Sequence, residues 1–171
     1  MARRVYWDSC VFIGLIMQEA ERHPACLSVW REAEAGDTLI LTSFFTWGEV
    51  FKAKCDGPAK PLTVEGDIEV EQILAQPHIE AVVVDEMIGI AARRLMRAYP
   101  ECKKPSDGIH LATALRLNVD EMHTYDGSDL LKLDGKLTCA NGSRLRICVP
   151  YGTPTLFDAI GGSPPHDGKR H

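Results

Sequence analysis

Four acidic side chains in this sequence stand where a carboxylate is costly. Asp8 follows the strand-like "RRVYW", Glu49 lies inside "FFTWGEVF", Asp107 opens "SDGIHLATA", and Asp126 sits in "TYDGSD". A lone carboxylate among Phe45, Trp47, Val50 and Phe51 is expensive to bury. Four brought together repel one another, and their pKa values rise. Divalent cations resolve that conflict, because Mg2+ or Mn2+ takes oxygen ligands and keeps waters for exchange with a substrate. Two such ions about 4 Å apart are an established arrangement for in-line displacement at phosphorus. The chemistry these acids suggest is metal-assisted hydrolysis of a phosphodiester.

Each acid also has a plain structural reading. Asp107 can act as a helix N-terminal acid that favours the macrodipole, and Asp126 before Gly127 can be a turn residue. Asp8 can cap the helix that follows it, and Glu49 can pair with Lys52 three residues on. Taken together, the four placements favour a shared site over four separate coincidences.

The elements that must position these acids alternate between strand and helix. Residues 3–7 read as a first strand, followed by helical segments over Val11–Met17 and Pro24–Ala35, the second closed by Gly36. "TLILTS" (38–43) is a β-branched second strand. Phe44–Cys55 reads as a helix stopped by Asp56-Gly57-Pro58, and Leu62–Gln76 as an amphipathic helix closed by Pro77. "IEAVVV" (79–84) is a third strand. Asp85 caps a helix whose apolar stripe is Met87, Ile88, Ala91, Ala92 and Leu95, with Arg93, Arg94 and Arg97 opposite. A helix opens at Asp107, which shares a face with Leu111 and Ala114, and strands follow at 121–125 and 144–149.

This pattern predicts an α/β fold, a three-layer α/β/α sandwich around a mainly parallel sheet of about five strands. In such sheets, functional groups gather beyond the carboxyl ends of the strands. Residues 1–150 are expected to form one domain, with 151–171 a partly flexible extension ending in "GGSPPHDGKRH".

Composition narrows the function classes. A net charge of −5 argues against a protein that coats nucleic acid by bulk attraction, but leaves room for an enzyme with a negative metal site. No apolar run approaches the roughly 20 residues a spanning helix needs, and Asp8 interrupts the N-terminal apolar stretch, so neither membrane span nor signal peptide is expected. The six cysteines form no CxxC pair and are expected to be reduced, mostly buried thiols of a cytoplasmic protein.

The segments "VYWDSCVFIGLI", "LTSFFTWGEVFKAK", "SDGIHLATA" and "HTYDGSDL" together resemble the PIN-domain ribonuclease family, in particular the VapC-like toxins of bacterial toxin–antitoxin pairs. Their order and spacing agree across residues 3–131, "DGIHLATA" and "TYD" being the most specific pieces. The resemblance implies a metal-dependent endoribonuclease acting on single-stranded or loop RNA with Mg2+ or Mn2+. Asp8, Glu49, Asp107 and Asp126 match the family's acidic quartet, and Asp129 is a weaker fifth member. Ser9 and Thr124 match positions where small hydroxyls support the ligands. A homodimer and a small antitoxin whose tail blocks the crevice are also implied. The 56–78 segment, the chain after about 150 and the aromatic residues Tyr6, Trp7 and Phe12 depart from the compact toxins.

An acidic crevice that takes RNA needs basic neighbours, and Lys52, Lys54, Lys103 and Lys104 are the candidates for phosphate contacts, although they also read as a solvated charge run. His110, followed by Thr113 and Arg116, is expected on a more polar helix side in a structural role. The three tryptophans are expected in the core. An aspartyl-nucleophile phosphatase would want a second acid two residues after Asp8, where Cys10 stands, and no glycine-rich loop follows the first strand to hold a dinucleotide. The competing non-enzymatic reading is a PIN-like module that binds RNA or protein without cutting.

Overall fold

A computed structural model of the chain describes residues 2–50 and 63–152. Five strands form a single parallel sheet in the order β3-β2-β1-β4-β5, and helices cover both faces. The strands are β1 (Arg3–Trp7), β2 (Thr38–Ser43), β3 (Ile79–Val82), β4 (Glu121–His123) and β5 (Arg146–Cys148). The helices are α1 (Ser9–Ile16), α2 (His23–Glu34), α3 (Phe44–Glu49), α4 (Val64–Leu74), α5 (Glu86–Ala98) and α6 (Pro105–Leu117), with a 3-10 turn over Leu130–Leu133. The predicted three-layer α/β/α class is thus the observed one.

β1 is the central strand, and alternation along it assigns the two cores. Val5 and Trp7 face α1 and α2, where they pack with Val11, Phe12, Cys26 and Val29. Tyr6 faces the other way, against Leu111 and Ala114 of α6 and Met122 of β4. A strand buried on both faces reads as a continuous apolar run, which accounts for the large aromatic residues beside Asp8. Trp7 is fully buried, as expected of a core residue. On the second face α5 and α6 lie close enough that a Cβ on Gly108 would come within 3.2 Å of the Ala92 carbonyl oxygen. That glycine sets how tightly the helix carrying Asp107 seats.

Several boundaries differ from the sequence reading, and pairing explains the strand ends. β3 stops at Val82, because its partner β2 ends at Ser43 and leaves nothing for Val83 and Val84 to bond. β4 ends at His123, where β1 ends at Trp7, and β5 ends at Cys148 opposite His123. α3 is shorter than predicted: Val50 has extended backbone, and the predicted continuation to Cys55 lies outside the described residues. Met87 is not part of the apolar stripe of α5, being 64% exposed while Ile88 and Ala92 are buried. Cys10, Cys26, Cys102, Cys139 and Cys148 are free thiols, and Cys55 lies outside the described residues. Among the described residues no helix is long and apolar enough to cross a membrane.

Candidate active site

In a sheet ordered 3-2-1-4-5 the strand order reverses between β1 and β4, so a crevice opens beyond the carboxyl ends of those parallel strands. Asp8 and Asp126 follow β1 and β4 and stand at that crevice. Thr124 links the two, accepting from the Asp126 N–H at 3.0 Å and lying 3.6 Å from the Cys10 Sγ that donates to Asp8.

Three carboxylates, Asp107, Asp126 and Asp129, offer oxygens that lie within 4.8 Å of one another. Each arrives by a different local device. Asp107 is in the first turn of α6, whose start is set by Pro105. Asp126 uses Oδ1 to accept from Ser128 N–H (3.1 Å), Ser128 Oγ–H (2.7 Å) and Asp129 N–H (3.0 Å), an Asx turn that folds Asp129 back toward the site. The turn reading of Asp126 is therefore correct for one of its oxygens, while Oδ2 faces the crevice and Lys104.

Asp8 and Glu49 do not join that 4.8 Å set. Asp8 caps α1, its Oδ1 accepting from the N–H groups of Cys10 (3.1 Å) and Val11 (3.3 Å) and from the Cys10 thiol. Glu49, buried at the end of α3, accepts at Oε2 from Ser9 Oγ–H (2.8 Å) and from His110 Nε2 (2.8 Å). These contacts place the Ser9 hydroxyl on the same Glu49 oxygen as the His110 ring.

His110 differs from the sequence expectation. It is fully buried rather than on a polar side, because Thr113 satisfies its own hydroxyl on the Ile109 carbonyl at 2.7 Å and needs no solvent. Opposite a carboxylate, Nε2 must donate, which leaves Nδ1 to accept from the Tyr6 hydroxyl at 2.8 Å. Burial pushes the Tyr6 phenol well above its ordinary range, so it stays a neutral donor. Tyr6, His110 and Glu49 thus form a chain linking β1, α6 and α3. The signal available in the sequence was the spacing Asp107 to His110, one helical turn.

Electrostatics mark the crevice as strained. Burial pushes the Asp8 carboxyl up, while the hydrogen bonds from the Cys10 thiol and the Val11 N–H oppose it. Burial also raises Asp107; Lys104 opposes that, while Asp126 and Asp129 add to it. The Oδ2 atom of Asp107 is buried without a hydrogen-bond partner. For Asp126 a burial cost is outweighed by the bonds from Ser128, Asp129 N–H and Lys104, which hold it below the usual carboxylate range. Converging carboxylates with one orphaned oxygen fit a hard divalent cation, whose ligands are oxygens.

The two lysines of the α6 approach lie on the acids. Lys103 Nζ is 2.7 Å from Asp129, and Lys104 Nζ lies 3.3 Å from Asp126, 3.7 Å from Asp129 and 4.0 Å from Asp107. Lys52 and Lys54 lie outside the described residues.

A second polar cluster, Glu121, His123 and Cys148, lies on the α1–α2 face of the sheet edge. The Trp7 indole N–H donates to His123 Nδ1 at 3.1 Å, so the neutral ring keeps its proton on Nε2 and gives it to Glu121. Arg146 (2.9 Å), Arg3 (3.8 Å) and the Tyr151 hydroxyl complete the shell of Glu121. A metal on Nε2 would have to displace that proton, and the cluster is satisfied as a hydrogen-bonded brace.

The chain matches the model of the PIN domain family over residues 5–136. No curated protein matches it significantly. Among solved structures it is similar to that of VapC20 from Mycobacterium tuberculosis, described as a sarcin–ricin loop cleaving toxin. The two are 14% identical with a TM-score of 0.58, over 72% of this chain and 90% of that one. The likeness is one of fold.

Proposed function

The chain belongs to the PIN domain family, and from that premise we propose that it is a Mg2+- or Mn2+-dependent endoribonuclease. It hydrolyses phosphodiester bonds of single-stranded or loop RNA, as the toxin of a toxin–antitoxin pair. The observation that carries this reading is the meeting of Asp107, Asp126 and Asp129 at the β1–β4 crevice, with the buried Asp107 Oδ2 left without a hydrogen bond.

In this reading Asp107, Asp126 and Asp129 hold a divalent ion, and Asp8 and Glu49 complete the acidic set. Bound ions supply Lewis-acid activation of water and charge neutralisation at phosphorus. The chain's own part is positioning. Cys10 and Val11 N–H groups fix Asp8, and Ser9 and His110 fix one oxygen of Glu49. Thr124, through the Cys10 thiol, keeps the Asp8 and Asp126 loops in register. Lys52, Lys54, Lys103 and Lys104 are the proposed phosphate contacts. Residues 1–150 constitute the nuclease domain and 151–171 an extension. A homodimer, a cytoplasmic location and a small antitoxin that covers the crevice complete the proposal.

The test is cleavage of a mixed single-stranded RNA pool, with ribosomal RNA fragments including the sarcin–ricin loop alongside, in Mg2+, Mn2+ or EDTA. Wild type is expected to cut in Mg2+ or Mn2+ and not in EDTA, and Asp8→Asn to lose at least a hundredfold in rate. Metal-independent cutting, or full activity in Asp8→Asn, would refute the reading. A protein that binds RNA but cuts none of these would instead be the non-cutting PIN-like module.

A further inference from the structure

Lys104 is the one described cation that touches all three carboxylates of the Asp107–Asp126–Asp129 trio, at 4.0, 3.3 and 3.7 Å. Resting on the metal-dependent reading above, we propose that Lys104 is a tethered counter-cation of the metal site. Its ammonium competes with the divalent ion for the trio and must swing out for the ion to bind.

An ammonium is a compact point charge with three donors, and it answers the same carboxylate oxygens that a hard cation uses. The ammonium and an ion placed among the same oxygens claim the same lone pairs and repel each other. The backbone of Lys104 is anchored: it is the N-cap of α6, it precedes Pro105, and its carbonyl accepts from Gly108 N–H at 3.1 Å. The side chain, by contrast, is 58% exposed and can leave by rotation about its own bonds. Lys103 cannot play the same part, because among the trio it is paired only with Asp129. The device makes the free trio tolerable without metal and sets a threshold for loading.

The experiment measures Mn2+ affinity by electron paramagnetic resonance on the full chain, for wild type and for Lys104→Met, Lys104→Arg and Lys136→Met. Lys136 pairs with Glu101, outside the trio, and so controls for net charge. Lys104→Met is expected to bind Mn2+ about tenfold more tightly, a gain on the scale of breaking a few partly exposed ion pairs. Lys104→Arg should bind no more tightly than wild type, and Lys136→Met should stay within about twofold of it. In wild type, amine labelling read by mass spectrometry should rise severalfold at Lys104 when Mn2+ is added, and stay level at Lys136. Equal or weaker binding by Lys104→Met, an equal gain in Lys136→Met, or labelling unmoved by Mn2+ would overturn the proposal. Should wild type bind Mn2+ and cleave RNA while Lys104→Met changes nothing, only the role of Lys104 falls. Should neither protein bind Mn2+, the metal-dependent reading falls with it.

Discussion

Asp107→Asn should make the protein more stable and inactive at once. The carboxylate has two like charges within 4.8 Å, and Lys104 lies 4.0 Å away. At an effective dielectric of about 20, two repulsions of roughly 3.5 kcal/mol each oppose an attraction of roughly 4 kcal/mol, leaving roughly 3 kcal/mol of net strain. Partial exposure and salt reduce that to about 1 kcal/mol. For a chain of this size such a gain raises Tm by about 2–4 °C. The pH dependence follows from the sign of the shift. The Asp107 carboxyl is raised by burial, so the stability it contributes is full below its unfolded pKa and is lost as pH rises through its folded pKa. Asn removes that loss, so the advantage of the variant appears at neutral pH in EDTA and fades in acid. Saturating Mn2+ should reverse the ranking, since an ion at 100 times its Kd stabilises wild type by about 2.7 kcal/mol. Circular-dichroism melts of both proteins at pH 4 and pH 7, with EDTA and with Mn2+, read all of this. A variant less stable than wild type by 1 kcal/mol or more at pH 7 in EDTA would refute the reasoning: Asp107 would then be a stabilising helix N-terminal acid.

Two further predictions concern the braces around the site. His110→Ala takes a buried partner from both Tyr6 and Glu49, and should cost about 1–3 kcal/mol in stability and at least tenfold in kcat, read by urea melts and cleavage assays. Unchanged kcat would mean that the histidine serves packing alone. Glu121 carries a burial cost, but His123, Tyr151 and Arg146 hold it down to about 2. Its stabilisation is therefore present above the ordinary carboxylate range and is lost as pH falls through about 2. Glu121→Gln should lower stability at pH 7 and flatten the acid limb of a stability–pH curve, and a parallel curve would contradict the assignment.

The acids were legible in the sequence because their positions follow from rules of backbone direction. Asp8 comes directly after β1 and Asp126 three residues after β4, and in a parallel sheet such residues meet at one end. Asp107 was legible from helical spacing, since Leu111 and Ala114 fix which face of α6 is inward. His110 was misplaced because Thr113 and Arg116 look polar in a list of residues, yet Thr113 turns its hydroxyl onto its own helix. Strand ends escaped for another reason: Val83 and Val84 have strand propensity, but a strand lasts only as long as its neighbour. The pairing of Lys103 and Lys104 with the acids depends on long side chains with many rotamers, which spacing alone does not set.

The central claim is that these acids run metal-assisted hydrolysis at phosphorus, and the ends of the cut RNA test it most directly. Single-turnover cleavage by wild type in Mn2+, followed by end-group analysis, should yield 5′-phosphate and 3′-hydroxyl termini, with Asp107→Asn reduced at least a hundredfold under the same conditions. Products carrying 2′,3′-cyclic phosphate, or an Asp107→Asn variant as fast as wild type, would contradict the account.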